Sequence, residues 1–427
     1  VYATNGVPLS RNSSRALRAR IVAAIAFLCA SVTLAVPPAA GAEPALCAWR
    51  FMSNETVLNV AFPDVNATYW VLPYALGPGD SIEVSGTYPA ARYFSLNTYG
   101  TNFDTVDTLR DDMIGPDPGS GNPFADATAR NLPPAQQKWH ATVVPGPSDH
   151  ARNEIRGIPE GQSTPVGFLI IRVYVPDDAA SVSGGVPLPE VTMHLGGATM
   201  LRQPCEQPFD PNSYTGPVAQ LAQAGFDQVI AGAASGAFPG GTPETVFVNP
   251  ASSSGLFPNG DNKYLGTALT YQPGRIVVVR GKAPLFPDTR AGVPVTDPDQ
   301  QVRYWSMCQN DLVSPYPVVA CAGDFETALD ASGYYTYAVA APSDLPSVAD
   351  PTVTVLPWGD TTVPKKVLFL RYMLPSPAFY PQSIQASQAT GADPATVMGP
   401  YYPEAVYCSA ATFVAGGYAA CQDEAVG

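Results

Sequence analysis

Two arginines sit on strands that otherwise read as apolar. In Phe168-x-Ile170-x-Arg172-x-Tyr174, alternation with a period of two puts Arg172 on one face with three large apolar or aromatic side chains. Arg371 is placed the same way among Val367, Phe369 and Met373. A guanidinium on such a face is costly unless carboxylates and carbonyls receive its five donors. Each arginine is therefore either half of a buried ion pair or a ligand-binding group at the mouth of a β-sandwich. Tyr93, Tyr304, Trp305 and Trp358 are the aromatic residues that could join them in an arginine-plus-aromatic surface. They are either core or a platform for sugars or lipids.

Other chemistry is poorly supported. The chain has no G-x-S-x-G, H-E-x-x-H, P-loop or G-x-G-x-x-G motif. Ala234-Ser235-Gly236 comes nearest to a nucleophile elbow, in a Gly/Ala-rich stretch that reads as linker. The three histidines, His140, His150 and His194, stand apart from one another and from cysteines, so no zinc site is expected. Asn259-Gly260-Asp261-Asn262 and the run Asp104, Asp107, Asp111 and Asp112 supply oxygen ligands, but neither matches a calcium loop. They are expected to be a surface turn and a polar helix face. No metal or cofactor is expected.

The elements that would position the arginines are mostly strands. Short β-branched and aromatic runs alternate with Pro/Gly turns, as at 81–84, 168–175, 275–280 and 367–374. One helix is expected, from about Pro217 to Ala231 and stopped by Gly232. It lies between two halves that match each other. Tyr69 precedes Pro78-Gly79 by nine residues, as Tyr264 precedes Pro273-Gly274. Gly86 and Pro89 follow in the first half, Gly281 and Pro284 at the same offsets in the second. Each Pro-Gly predicts a tight turn, and each later glycine a strand stop. Arg92-Tyr93-Phe94-Ser95 then corresponds to Arg303-Tyr304-Trp305-Ser306, and 168–172 to 367–371. A duplicated module is the simplest account. No acidic residue is recognised among these anchors, which disfavours an acid/base pair inherited by both copies.

The N-terminus reads as a cleavable export signal. Arg11, Arg15, Arg18 and Arg20 form a basic flank, an apolar run extends from Ile21 to Val36, and a cut after Ala42 has small residues at −3 and −1. Its removal leaves 18 basic against 36 acidic residues, a net charge of −18. That argues against nucleic acid or an anionic bilayer as partner. It also leaves six cysteines, Cys47, Cys205, Cys308, Cys321, Cys408 and Cys421, without metal-ligand spacing. Disulfides are the natural reading in an exported chain. Fifteen pairings are possible and sequence does not choose among them. The local set 47–205, 308–321 and 408–421 is the expectation.

The stretches 92–99, 167–178 (Gly167-Phe168-Leu169-Ile170-Ile171-Arg172 through Asp178) and 185–191 resemble the bacterial domains of unknown function numbered 1214 and 1254. The second half, with 303–308, 356–360 and 401–403, is similar to uncharacterised secreted actinobacterial proteins of the same broad group. The resemblance implies an exported, β-rich, jelly-roll-like fold and transfers no catalytic residue. Two modules and six cysteines depart from the commoner pattern.

The resulting expectation is an all-β chain of two related jelly-roll or β-sandwich-like modules joined by a short helical connector. The segments are a signal at 1–42, the first module at 43–205, the connector at 206–244 and the second module at 245–427. The expected role is a secreted, non-catalytic cell-envelope protein that binds an envelope glycan or lipid or serves structurally, with no integral membrane segment after cleavage. The alternative is a secreted hydrolase of carbohydrates or esters, with its site in a cleft between the modules.

Overall fold

A computed structural model describes residues 47–207, 217–238, 241–345 and 348–426. The expected export signal lies outside the described residues.

The first module begins with β1 (Phe51–Ser53), β2 (Ala67–Ala75), β3 (Ser81–Thr87), β4 (Ala91–Tyr99) and β5 (Thr105–Arg110). It continues with β6 (Lys138–Val144), β7 (Glu154–Arg156), β8 (Val166–Pro176), β9 (Glu190–Leu195) and β10 (Ala198–Arg202). The second module contains β11 (Asn262–Thr270), β12 (Arg275–Lys282), β13 (Val302–Asp311), β14 (Val318–Gly323), β15 (Tyr334–Ala340), β16 (Val353–Pro357), β17 (Lys365–Pro375) and β18 (Glu404–Ser409). Among the described residues the α-helices are α1 (Pro217–Ala237), α2 (Ile384–Thr390), α3 (Pro394–Met398) and α4 (Ala410–Val426).

The strands form four sheets, two per module, and the layout is mostly β. The order β2-β8-β4-β5 in one module is repeated as β11-β17-β13-β14 in the other, and β9-β3-β6-β7 as β18-β12-β15-β16. Even the parallel pairs recur, β6 with β7 and β15 with β16. Register is conserved as well. Tyr69 and Ser95 flank Arg172 across the sheet, and Tyr264 and Ser306 flank Arg371. The duplication read from spacing is therefore a duplication of pairing.

The Pro-Gly turns form as expected, with φ of 84° at Gly79 and 76° at Gly274 and a closing backbone bond in each. The glycines expected to stop the next strands lie inside them instead. Gly86 faces Trp139 and Gly281 faces Tyr335 on the neighbouring strand. A Cβ on Gly86 would come within 3.0 Å of the Trp139 ring, and one on Gly281 would collide with the Tyr335 hydroxyl. These glycines make room for a large facing aromatic.

β4, β8, β13 and β17 are buried almost end to end, because each serves two cores. In β8, Leu169, Ile171 and Val173 enter the core of the first module. In β17, Leu368, Leu370 and Tyr372 do so in the second. The alternate residues face the other module, where Tyr93, Tyr174, Tyr304 and Met373 pack together. Period-two alternation thus puts both arginines on the inter-module side.

α1 runs six residues beyond its expected end, through Gly232, with Ile230, Ala234 and Ala237 buried. α4, unforeseen in the sequence, packs against β18 and β12 and bends at Gly417. The disulfides are Cys47–Cys205, Cys308–Cys321 and Cys408–Cys421, the local set. Among the described residues no helix is long and apolar enough to cross a membrane.

Candidate functional site

The two modules meet through a polar network with near two-fold symmetry. Arg92 forms a buried ion pair with Asp324 of the other module, and Arg303 one with Asp111 at 3.3 Å in the reverse direction. Each aspartate follows the equivalent strand, β14 or β5. Each also accepts a backbone N–H from the opposite anchor in its own module, Trp305 at 3.1 Å or Phe94 at 2.9 Å. Burial, the larger effect, pushes both carboxyls up to about 6, while Arg92 and Arg303 pull them down.

The segments before β2 and β11 extend this symmetry. Phe62-Pro63-Asp64-Val65-Asn66 corresponds to Phe257-Pro258-Asn259-Gly260-Asp261. Both phenylalanines take a left-handed backbone, with φ of 61° and 50°. Each of these arms crosses to the other module. Phe62 packs on Phe369 at 5.2 Å, and Phe257 on Phe168 at 6.4 Å and Phe103 at 4.3 Å. The Tyr304 hydroxyl donates to Asp64 at 3.1 Å, and the Tyr93 hydroxyl to Asp261 at 2.8 Å.

The expected ligand-binding residues take their places here. Arg371 pairs with Asp64 and donates to Ser306 Oγ at 3.2 Å. Burial acts against its cation and lowers its pKa to about 9, and the Asp64 carboxylate is its counter-ion. Arg172 has no ion-pair partner among the described residues. It donates to Asn97 Oδ1 at 3.2 Å, the Tyr99 hydroxyl at 2.6 Å and the Phe257 carbonyl at 2.7 Å, and it lies over the Tyr69 ring. The difference follows from one position in the arms, where Asp64 has Asn259 as its counterpart.

The aromatic platform does not form. Tyr93 and Tyr304 are buried on the inter-module face, joined through Tyr174 with ring centroids 5.6 and 6.0 Å apart. Trp305, the next residue on β13, must point to the opposite face and is wholly inside the second core. Trp358 is 2% exposed and packs on Tyr271. Burial holds both tyrosine hydroxyls well above their ordinary pKa, so they are phenols near neutral pH. On this face arginines, tyrosines and aspartates are turned toward one another.

Three further readings are corrected. Asp104–Asp112 is not a helix: Thr105–Arg110 is the strand β5. Asn259–Asn262 is not a solvated turn, since Asn259 and Asn262 are buried at the module boundary. The idea that the repeat shares no acidic anchor fails at Asp111 and Asp324. The gap from the Arg-Tyr anchor to the aspartate is two residues longer in the second module, which hid the match. The Phe-Pro-Asx-x-Asx motif was the legible signal for the arms.

Two clusters resemble functional groups without being them. Asp64, Cys308 and Cys321 lie close together, but both cysteines are in a disulfide. The Asp107 carboxylate accepts the Ser148 hydroxyl at 2.9 Å and contacts His150 Nε2 at 3.0 Å. A catalytic triad needs the imidazole between the serine and the acid, whereas here the acid lies between the other two.

An open surface cleft of about 540 Å³ lies elsewhere, between the segment 249–253 and the α2–α3 pair. It is lined by Asn249, Ser252, Ser253, Lys263, Gln388 and Asp393, among others.

No family model and no curated protein matches the chain. The fold is similar to the crystal structure of an uncharacterized protein from Burkholderia cenocepacia. The TM-score is 0.52 at 13% identity, over 96% of this chain and 91% of that one. The VPA0106 protein from Vibrio parahaemolyticus aligns over 91% of this chain and 96% of that one, at a TM-score of 0.42 and 12% identity. The first likeness speaks for the fold alone, and the second is too distant to argue from.

Proposed function

We propose that the protein is a secreted, non-catalytic component of the cell envelope, in which two jelly-roll-like modules act as one unit that binds an envelope glycan or serves structurally. One observation carries the reading. The buried pairs Arg92–Asp324 and Arg303–Asp111 at the module boundary are reciprocal contacts between modules, the arrangement of a self-complementary interface. A catalytic site would instead turn perturbed groups toward an open pocket. Export is supported by the basic-then-apolar N-terminus at 11–42 and by three disulfides.

The test uses the chain from Glu43 onward, produced under oxidising conditions. It is screened on a glycan array and against phospholipid vesicles, and assayed with chromogenic ester and glycoside substrates. Glycan-dependent retention without turnover is the expected result. Turnover that co-purifies with the protein and is lost on substituting an identified nucleophile would overturn the reading. Retention on vesicles alone would replace the glycan with a lipid.

A further inference from the structure

A bond present in only one copy of a duplicated scaffold is not needed to build that scaffold. Cys308 and Cys321 face each other across β13 and β14. In the first module the same places on β4 and β5 belong to Asn97 and Thr108, which also face each other. There the side chains share a hydrogen bond, donated by Asn97 Nδ2 to Thr108 Oγ1 at 2.9 Å. The strand pair thus forms with a neutral hydrogen bond where the second module has a disulfide. Chain entropy points the same way. Cys308–Cys321 spans a separation of 13 residues already held by strand pairing on both sides, whereas Cys47–Cys205 spans 158.

The surroundings of Cys308 favour a thiolate. Arg371 Nη1 lies 4.0 Å from Cys308 Sγ, and Ser306 Oγ lies 3.6 Å from it. Arg172, the counterpart of Arg371, reaches Asn97 in the same way. Cys408 has the opposite setting, with Glu424 Oε2 3.7 Å from its sulfur. A thiolate beside a cation leaves a disulfide more readily, and one beside a carboxylate less so. Cys308 is buried, while Cys321 is half-buried on the edge strand β14, so Cys321 is the sulfur open to attack and Cys308 the one that departs. One anion competes for the guanidinium. An Asp64 carboxylate oxygen lies within 4.8 Å of both sulfurs, and Asp64 is the ion-pair partner of Arg371. Asp64 belongs to the arm that crosses from the first module, so the disulfide and the arm share one cation.

We propose that Cys308–Cys321 is a thiol-exchange site, opened by a dithiol reductant of the disulfide-oxidoreductase type. A thiolate of the dithiol attacks Cys321 Sγ and the Cys308–Cys321 bond breaks, leaving Cys308 as a thiolate beside Arg371. The second thiol of the reductant then attacks the mixed disulfide. Cys321 leaves and takes up the proton that this thiol gives up, and the reductant departs as a disulfide, two electrons poorer. Arg371 then has two anions to answer, so its hold on Asp64 weakens and the arm loosens from the second module.

The test treats the disulfide-bonded chain from Glu43 onward with dithiothreitol at neutral pH, without denaturant, and maps free thiols by differential alkylation and mass spectrometry. Cys308–Cys321 should open about tenfold faster than Cys408–Cys421, with circular dichroism unchanged. Hydrogen exchange across 59–66 should then rise while β11 and β17 stay protected. Cys308→Asn/Cys321→Thr, which installs the first-module pair, should fold. Asp64→Leu/Arg371→Met removes both charges and should open Cys308–Cys321 several-fold more slowly than the parent, whereas mere loosening of the module boundary would speed it. Opening no faster than that of Cys408–Cys421, or opening only with global unfolding, would overturn the proposal. So would a Cys308→Asn/Cys321→Thr chain that does not fold, or opening in Asp64→Leu/Arg371→Met as fast as in the parent. If that last variant does not fold, the order of opening in the parent decides.

Discussion

The Arg92 guanidinium is buried against the Asp324 carboxylate of the other module, and the repeat counterparts of these residues, Arg303 and Asp111, make the same contact in reverse. One chain thus contains what two identical subunits would need in order to form a closed dimer. The two pairs fix how the modules meet, because neither charge can leave its partner without remaining unsolvated.

Removing one partner of either pair should cost about 3–5 kcal/mol, since it strands a buried charge. Asp324→Ala and Asp111→Ala are the informative variants, measured by urea unfolding. Arg92→Met/Asp324→Leu should cost less than Asp324→Ala alone. Single variants within about 1 kcal/mol of the parent, the worth of an exposed pair, would show that the pairs are not sealed from water.

The same aspartates set a pH dependence. Their carboxyls are pushed up to about 6 from an ordinary value of 3.8, chiefly by burial. A raised folded-state pKa means that the folded protein binds the proton more tightly than the unfolded chain. The associated stability is fully present below about pH 4 and is lost as pH rises through about 6. Relative to Asp111→Asn/Asp324→Asn, the parent should lose on the order of 2 kcal/mol or more between pH 4 and pH 7. Denaturation midpoints of the two proteins across that range check the sign, and a rise in place of a fall would refute it.

Asp64 and Asn259 occupy equivalent places with unequal charge, which predicts unequal sensitivity. Asp64→Asn removes the counter-ion of Arg371 and should cost about 3 kcal/mol. Asn259→Ala removes only neutral hydrogen bonds, those with Tyr93 and the one from the Asp261 N–H, and should cost about 1 kcal/mol. Equal costs in chemical denaturation would mean that Arg371 is satisfied without Asp64.

Gly281→Ala puts a methyl group into the Tyr335 hydroxyl and should destabilise by about 1–3 kcal/mol through overpacking. In a Tyr335→Leu background the added cost should largely disappear. A calorimetric comparison of the four proteins reads the coupling, and simple additivity would count against the close approach.

α4 is rich in alanine and has two central glycines, so its attachment should depend on the Cys408–Cys421 bond. Cys408→Ser/Cys421→Ser should cost about 3 kcal/mol. It should also raise hydrogen exchange across 410–426 ahead of global unfolding. Unchanged protection there would show that packing on β18 and β12 suffices.

Much of the architecture was legible in the sequence because it depends on local chemistry. Pro78-Gly79 and Pro273-Gly274 specify their turns by allowed φ, and alternation in 168–174 and 367–373 specifies which face each arginine shares. The repeat spacing exposed the duplication, and proximity in the chain favoured two of the three disulfides. Locality also limited that reading. Nothing near Gly86 or Gly281 in sequence reveals the aromatic facing it across the sheet. Ser383 and Asp393-Pro394 carried legible caps for α2 and α3, but α4 had too little helical pattern to be expected.

The inter-module contacts lie beyond local reading for a physical reason. A buried arginine looks the same in sequence whether it awaits a ligand or already holds a carboxylate hundreds of residues away. Only the tertiary structure, by bringing Asp324 to Arg92, Asp111 to Arg303 and Asp64 to Arg371, decided that these groups hold the modules together. The sequence by itself determined two alternating, arginine-bearing strands in a duplicated β scaffold. Long-range packing determined that their charged faces meet each other.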